Sequence, residues 1–124
     1  MMTLAALREK NCQHTERALT PDAVSDHLAL VPEWSLQNSM IVRTFSFKNY
    51  HETLAFTNAI APMIHAQDHH PELVITYNRC TVRYNTHSVN GGTGGISEND
   101  FICAAKIDAI FEEQQTQLAR PSRG

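Results

Sequence analysis

Cysteine is scarce and carries no pattern: Cys12, Cys80 and Cys103 are odd in number, widely scattered, and form no CxxC pair. This argues against a disulfide framework, a zinc knuckle and a dithiol redox motif, and it predicts a reducing compartment. Long apolar runs are missing too; no stretch nears the roughly 20 residues a membrane-spanning helix needs. The N-terminus has no basic segment followed by an apolar run, so no secretory signal is read. Positive charge is not in excess, since 10 Lys and Arg stand against 13 Asp and Glu. The resulting net charge of −3 lacks the broad basic footprint of a nucleic-acid binder. Glycine is almost absent outside one loop, Gly91 to Gly95, which holds four of the five. The expectation is a cytoplasmic chain without nucleic-acid or membrane partners. At 124 residues it folds as one domain that buries roughly two thirds of its unfolded surface.

The order of elements follows from periodicity and punctuation. Residues 1–19 show only a loose apolar pattern at Leu4, Ala5 and Leu7, which predicts a frayed or partly helical N-terminal arm. Thr20 and Pro21 form a helix start, with Val24, Leu28 and Val31 at helical spacing and Pro32 marking the end. Trp34 to Leu36 is a short edge strand before the polar turn Gln37-Asn38-Ser39, and Met40 to Phe47 alternates as a strand. Arg43 shares the parity of Ile41 and Phe45, and its stem is expected to snorkel to an edge. Asn49 caps a second helix, which should kink at Pro62, or set off its last turn there, and finish before Pro71. Leu73 to Tyr77 and Cys80 to Thr86 form a hairpin around Asn78-Arg79. After the Gly-rich loop, Ser97 to Asp100 has the form of a capping box. A final helix follows with Cys103, Ile107, Ile110 and Phe111 inward, and a polar tail from 114 to 124 frays. The domain proper is then 20–113. Its class is α+β: two layers, a four-stranded antiparallel sheet with three helices on one face, in the order α-β-β-α-β-β-α. An uncovered sheet edge would invite pairing with a second copy.

The chemistry centres on His65, Asp68, His69, His70 and Pro71, with His87 and Asp100 as outliers. Imidazoles exchange protons near neutral pH, so several aimed at one pocket point to proton transfer or a metal. His69 and His70 serve one pocket only if the chain turns at the corner before Pro71; otherwise they are exposed polar residues. Asp68 caps that corner or orients an imidazole. If the hairpin pairs around Asn78-Arg79, paired residue numbers sum to about 157, which sets His70 opposite His87. Asp100 is a helix-start carboxylate favoured by the dipole, or a functional group if it lies near the histidines. The glycine loop lacks the Lys-Ser/Thr of a P-loop and is read as a mobile loop. His65 and His69 at i, i+4 could ligate a metal with His87. However, HExxH is absent, no cysteine is near, and the helix should end between the two, so no metal is expected.

At these residues the chain resembles the pterin-4a-carbinolamine dehydratase family. The pattern runs from His65 through three residues to His69-His70-Pro71, then five residues on to Tyr77, nine further to His87, and after a variable gap to Asp100. Phe45, Phe47 and Lys48, the segment Leu54 to Asn58, Glu72, Asn78, Thr86, Ser97 and Glu98 agree with it, over roughly residues 20–113. The resemblance implies a four-stranded antiparallel sheet with three helices on one side. It implies dehydration of 4a-hydroxytetrahydropterin to quinonoid dihydropterin, recycling the cofactor of aromatic amino acid hydroxylases. No metal or organic cofactor is implied, and a homodimer or homotetramer is. By position, His69, His70 and His87 become the catalytic imidazoles, Asp100 the supporting carboxylate, and Asp68, His65 and Pro71 the substrate-binding set. Relatives also act as partners of transcription factors or in enzyme assembly, so a non-catalytic binding or assembly module is the alternative. Three features depart from the pattern: Leu73 where an aromatic is common, a longer loop before Ser97, and Pro62 inside a helix.

Overall fold

A computed structural model describes residues 2–119 of the chain. The elements run α1 (Leu4–Glu9), α2 (Pro21–Leu28), β1 (Ser35–Gln37), β2 (Met40–Ser46), α3 (Tyr50–Gln67), β3 (Glu72–Ile75), β4 (Arg79–Tyr84) and α4 (Glu98–Ala119). The strands form one antiparallel sheet in the spatial order β1-β2-β4-β3. This is the expected α+β class, with α1 as a helix beyond the three expected. None of the described helices is long and apolar enough to cross a membrane.

Local chemistry starts each element where the sequence places it. Thr20 Oγ1 accepts the Ala23 N–H at 3.2 Å, with Pro21 in the first helical position, where its missing N–H costs nothing. Asn49 Oδ1 accepts the Glu52 N–H at 2.9 Å. Between β1 and β2, Asn38 and Ser39 both hold positive φ, 49° and 61°, as a two-residue hairpin with the right twist requires.

The alternation of the strands then sorts the two faces. Ile41, Phe45, Cys80, Val82 and Tyr84 point to the helical layer and are at most 1% exposed. There they meet Phe56, Ile60, Phe101 and Ile107. Phe45, Phe47, Phe56 and Phe111 pack as tilted and edge-on rings with centroids 4.7–5.8 Å apart. The other face is polar: Thr44 and Thr81 hydroxyls are 2.9 Å apart, and Arg83 pairs with exposed Glu72 at 2.6 Å.

Several details differ from the sequence reading. Arg43 does not reach an edge. Its guanidinium lies under the helical layer, donating to Asp108 Oδ1 at 2.8 Å and sitting 4.3 Å above the Phe45 ring. Asp108 also accepts the Trp34 indole N–H at 2.9 Å, so the inward charge is matched by an inward carboxylate. Helix α3 continues through Pro62 to Gln67 without interruption. Pro62 is on the exposed flank, where water can serve the carbonyl it leaves unpaired. Helix α4 runs to Ala119, so residues 114–119 of the expected tail are helical, and 120–124 lie outside the described residues.

The hairpin register is shifted. Ile75 pairs with Cys80 and Glu72 with Arg83, so paired numbers sum to 155 rather than 157. Thr76 donates to the Arg79 carbonyl at 2.9 Å, which puts Tyr77-Asn78 at the turn instead of Asn78-Arg79. A slip of two residues keeps every side chain on its face. It does move position 70 from opposite His87 to opposite Asn85.

The N-terminal arm is docked. Thr3 caps α1, accepting the Ala6 N–H at 3.1 Å, and Leu7 is fully buried in the core. Lys106 Nζ donates to the Arg8 carbonyl at 2.6 Å, while Arg8 Nε donates to the Ala105 carbonyl at 3.2 Å. The loose pattern at Leu4, Ala5 and Leu7 predicts a frayed or partly helical arm, but one buried leucine in a six-residue helix gives no signal that the arm docks on the core. Leu7→Ala should cost about 2–5 kcal/mol by urea denaturation, the range for an aliphatic truncation in a packed core. A cost near zero would show that the arm is not part of the cooperative fold.

Candidate active site

The corner between α3 and β3 is made by one backbone feature. Asp68, the residue after α3, adopts the left-handed conformation (φ 50°, ψ 39°) with its N–H on the His65 carbonyl at 3.2 Å. Aspartate tolerates this conformation better than most residues. Asp68 is thus the cap of the corner, and the reversal allows neighbouring histidines to serve one site.

His69 turns toward α4. Its Nε2 lies 2.6 Å from Asp100 Oδ1, with the imidazole 13% exposed and Asp100 fully buried. The ring stacks on Tyr84 at 5.1 Å between centroids, and the Tyr84 hydroxyl donates to the His69 carbonyl at 3.1 Å. Burial pushes the Tyr84 phenol far above its ordinary range, so it stays a neutral donor. The other oxygen of Asp100 accepts the Ser97 N–H at 2.9 Å and the Thr86 hydroxyl at 3.1 Å. This is one arm of the capping box. The reciprocal arm is replaced, since Ser97 Oγ lies 2.6 Å from Thr86 Oγ1. Nε2 is engaged by the carboxylate, and Nδ1 of His69 has no hydrogen-bond partner among the described residues.

His70 and His87 are exposed, and no hydrogen bond to other described residues holds either ring. With Asp68 and His69 they line a pocket of about 480 Å³. Asp100 stands behind His69 rather than on the wall. The structure does not bring His65 or Pro71 to this wall. Helix α3 ends at Gln67 and the chain reverses at Asp68, so His65 remains on the exposed flank of the last turn. Pro71 is half-buried just before β3. Among the described residues, no group of three or more His, Cys, Asp or Glu side chains is placed to hold a metal ion.

Two further parts of the pocket were not foreseen. The segment Cys12 to Thr15 forms one wall, and Asn85, Thr86 and Ser88 flank His87. The arm is held there by Gln67 Oε1, which accepts the Cys12 N–H at 2.7 Å, and by Asn99, which exchanges two hydrogen bonds with Gln13. Nothing but the polarity of Asn11 to Thr15 marks this segment in the sequence. The glycine loop also has a defined role. Thr86 and Gly95 exchange backbone hydrogen bonds at 2.8 and 3.2 Å, and the Gly92 and Gly94 amides go to the Val89 carbonyl. Those amides are therefore not gathered as a phosphate cradle. A side chain at Gly95 would meet the Asn90 amide nitrogen at 2.7 Å and the Val89 side chain at 3.2 Å, so the Asn90 side chain would have to move aside where the loop closes.

Fold and site together define a small α+β protein whose pocket is lined by imidazoles and backed by a buried carboxylate. The comparisons agree on which one. The family model described as Pterin 4 alpha carbinolamine dehydratase matches residues 17–110, and the chain belongs to that family. A Bdellovibrio bacteriovorus protein named "Putative pterin-4-alpha-carbinolamine dehydratase" is 54% identical over 114 residues, covering 92% of this chain and 95% of its own. One from Nitrosospira multiformis, with the same name, is 42% identical over 113 residues, covering 89% and 96%. A crystal structure described as a transcriptional coactivator/pterin dehydratase from Brucella melitensis superposes with a TM-score of 0.69 at 31% identity, over 76% of this chain and 98% of that one.

The Asp100 network gives a stability test that requires no substrate. Thr86→Val keeps the shape of the side chain but removes one of the two donors to Asp100 Oδ2 and leaves the buried Ser97 hydroxyl without its partner, and should cost about 1–3 kcal/mol in denaturant unfolding. An unchanged midpoint would mean that Thr86 contributes nothing to holding the carboxylate.

Proposed function

We propose that the pocket dehydrates a 4a-hydroxytetrahydropterin to the quinonoid dihydropterin, as a hydro-lyase acting by imidazole general acid–base catalysis. The observation that carries this reading is one oriented imidazole, His69 on buried Asp100, sharing a pocket with two unpartnered imidazoles, His70 and His87. Family membership supplies the substrate class.

The elimination breaks the bond from C4a to its hydroxyl. One imidazole in its protonated form gives a proton to the departing oxygen, which leaves as water. A second, neutral imidazole accepts the proton released from the ring nitrogen as the C4a=N double bond forms. His70 and His87 are free to flank the pterin ring and exchange these protons with solvent after each turnover. His69 has a different place. Its Nε2–H is directed to Asp100, which fixes the tautomer and leaves the Nδ1 lone pair to accept a hydrogen bond or a proton. Asp100 acts through His69 as a positioning residue, and Asp68 lines the pocket beside it. Imidazoles supply both transfers, so the reading needs neither a metal nor an organic cofactor. In this reading the chain serves tetrahydropterin recycling for aromatic amino acid hydroxylation. Exposed Val74 and Ile75 on edge strand β3 support a homodimer or homotetramer.

The test is the dehydration rate of 4a-hydroxytetrahydropterin with purified full-length protein, with and without a chelator. A large acceleration that survives chelation is expected; none, from a folded protein, would overturn the reading in favour of a binding or assembly module. His70→Ala and His87→Ala each remove an exposed ring, so folding should be retained while kcat falls by about 10²–10⁴-fold, the usual worth of one proton transfer. Unchanged turnover in either variant would remove that histidine from the mechanism.

A further inference from the structure

The wall that the N-terminal arm contributes to the pocket carries a thiol pair. Cys12 Sγ lies 3.5 Å from Cys103 Sγ and 3.6 Å from the Asn99 carbonyl oxygen. Cys12 is half-buried in the non-helical arm segment and lines the pocket. Cys103 is fully buried on α4, one turn beyond Asp100. The two sulfurs are 91 positions apart in sequence and come from elements joined mainly by polar contacts. Cys80, the third cysteine, is fully buried on β4.

We propose that Cys12 and Cys103 are an oxidative modification site: a small hydroperoxide oxidises Cys12, and Cys103 resolves it to a disulfide that fastens the arm to α4.

Chemistry and geometry give the two sulfurs different roles. The thiolate is the form that attacks. The hydrogen bond between the two sulfurs holds the Cys12 thiol below its ordinary range against the opposing effect of burial; His69 adds in the same direction and Asp100 opposes it. Cys103 is pushed far up, by its hydrogen bond to Cys12 and then by burial. Cys12 faces the pocket, through which a small oxidant can arrive. In the first step the Cys12 thiolate attacks one peroxide oxygen. The S–O bond forms, the O–O bond breaks, the sulfur is oxidised to a sulfenic acid, and the peroxide is reduced to an alcohol or water. In the second step Cys103 sulfur attacks the sulfenic sulfur. The S–S bond forms, the S–O bond breaks, and the departing hydroxide takes the Cys103 proton and leaves as water. Closing from 3.5 Å to the covalent distance of about 2.05 Å requires a movement of Cys12. It lies in an irregular segment that can shift, whereas Cys103 is fixed in the core helix.

The experiment reads mass rather than turnover, so its failure is separable from failure of the dehydratase reading. Reduced full-length protein is treated with hydrogen peroxide, quenched with an alkylating agent, and examined by intact mass and peptide mapping. The expected product is a monomer lighter by two hydrogens, with the Cys12 and Cys103 peptides linked. It should melt higher by on the order of 10 °C, because a long loop of the unfolded chain is then closed. Cys80→Ser should keep the link and Cys12→Ser should lose it. Cys103→Ser should stop at a sulfenic acid on Cys12 that dimedone traps. Cys12 left unoxidised, Cys12 halted at a sulfenic or sulfinic acid with Cys103 present, a link through Cys80 or to a second chain, or a link without a rise in melting temperature would each overturn the proposal. Should Cys103→Ser not fold, the peptide map of the unsubstituted chain and of Cys12→Ser, altered only in the half-buried arm, decides the matter.

Discussion

A fully buried carboxylate on the first turn of α4 holds the working end of this molecule together. Asp100 could not remain in the interior without partners, because an unpaired buried charge costs several kcal/mol. It has three, each from a different place: the Ser97 amide at the start of its own helix, the Thr86 hydroxyl just past β4, and the His69 imidazole at the corner after α3. Satisfying one charge therefore fixes where three otherwise separate parts of the chain meet. The glycine loop that joins Thr86 to Ser97 is free to be long and irregular because both its ends are held, by the Thr86 pairing with Gly95 and by the two hydroxyls 2.6 Å apart.

The same logic of matched inward polarity operates in the core. Arg43 lies on the apolar side of β2 and would be costly there alone. Asp108, itself held by the Trp34 indole, and the faces of Phe45 and Phe111 give it one charged partner and two rings. The two buried acids of α4 are eight residues apart, a little over two turns. They anchor the helix at both ends of a stretch that is apolar except for Lys106. The arm then closes the remaining side of α4 through Leu7 and the polar contacts of Arg8 and Lys106.

How much of this was legible follows from the range over which each signal acts. Caps and turns are local, so Thr20, Asn49 and the Ser97 start were readable, and strand alternation correctly gave the faces of β2 and β4. The α+β class follows from those elements in order. The hairpin register was misplaced by two residues because Asn78-Arg79 and Tyr77-Asn78 are both acceptable turns, and a slip of two leaves the alternation unchanged. The partner of Arg43 could not be read, since Asp108 is 65 positions away and nothing local links them. For the site, the gathering of His69, His70 and His87 was anticipated from the pattern, although the ladder argument offered for it used the wrong register. His65 and Pro71 were placed with the substrate by that same pattern, yet they stand off the pocket wall. The arm segment from Cys12 to Thr15 was missed because the contacts that dock it are with groups more than fifty positions away in sequence, which no local pattern reveals.

The division between oriented and free imidazoles bears on what such a pocket is suited to do. His69 is stacked on Tyr84, hydrogen-bonded to Asp100 and mostly shielded, so its orientation is settled before any ligand arrives and ligand binding need not order it. His70 and His87 are exposed and carry no such constraint. A ring fixed on a carboxylate is good at holding one tautomer, and a ring open to water is good at being re-protonated after each event. The proposed elimination, which moves one proton out and another in, can draw on both capacities in the same pocket. The buried carboxylate makes the His69 ring present one particular nitrogen to whatever enters the pocket, as an acceptor in binding or as a base in the proposed transfer. The cost of burying Asp100 is offset by three partners that together fix the ring, and a ring fixed in this way is what the proposed proton transfer asks of His69.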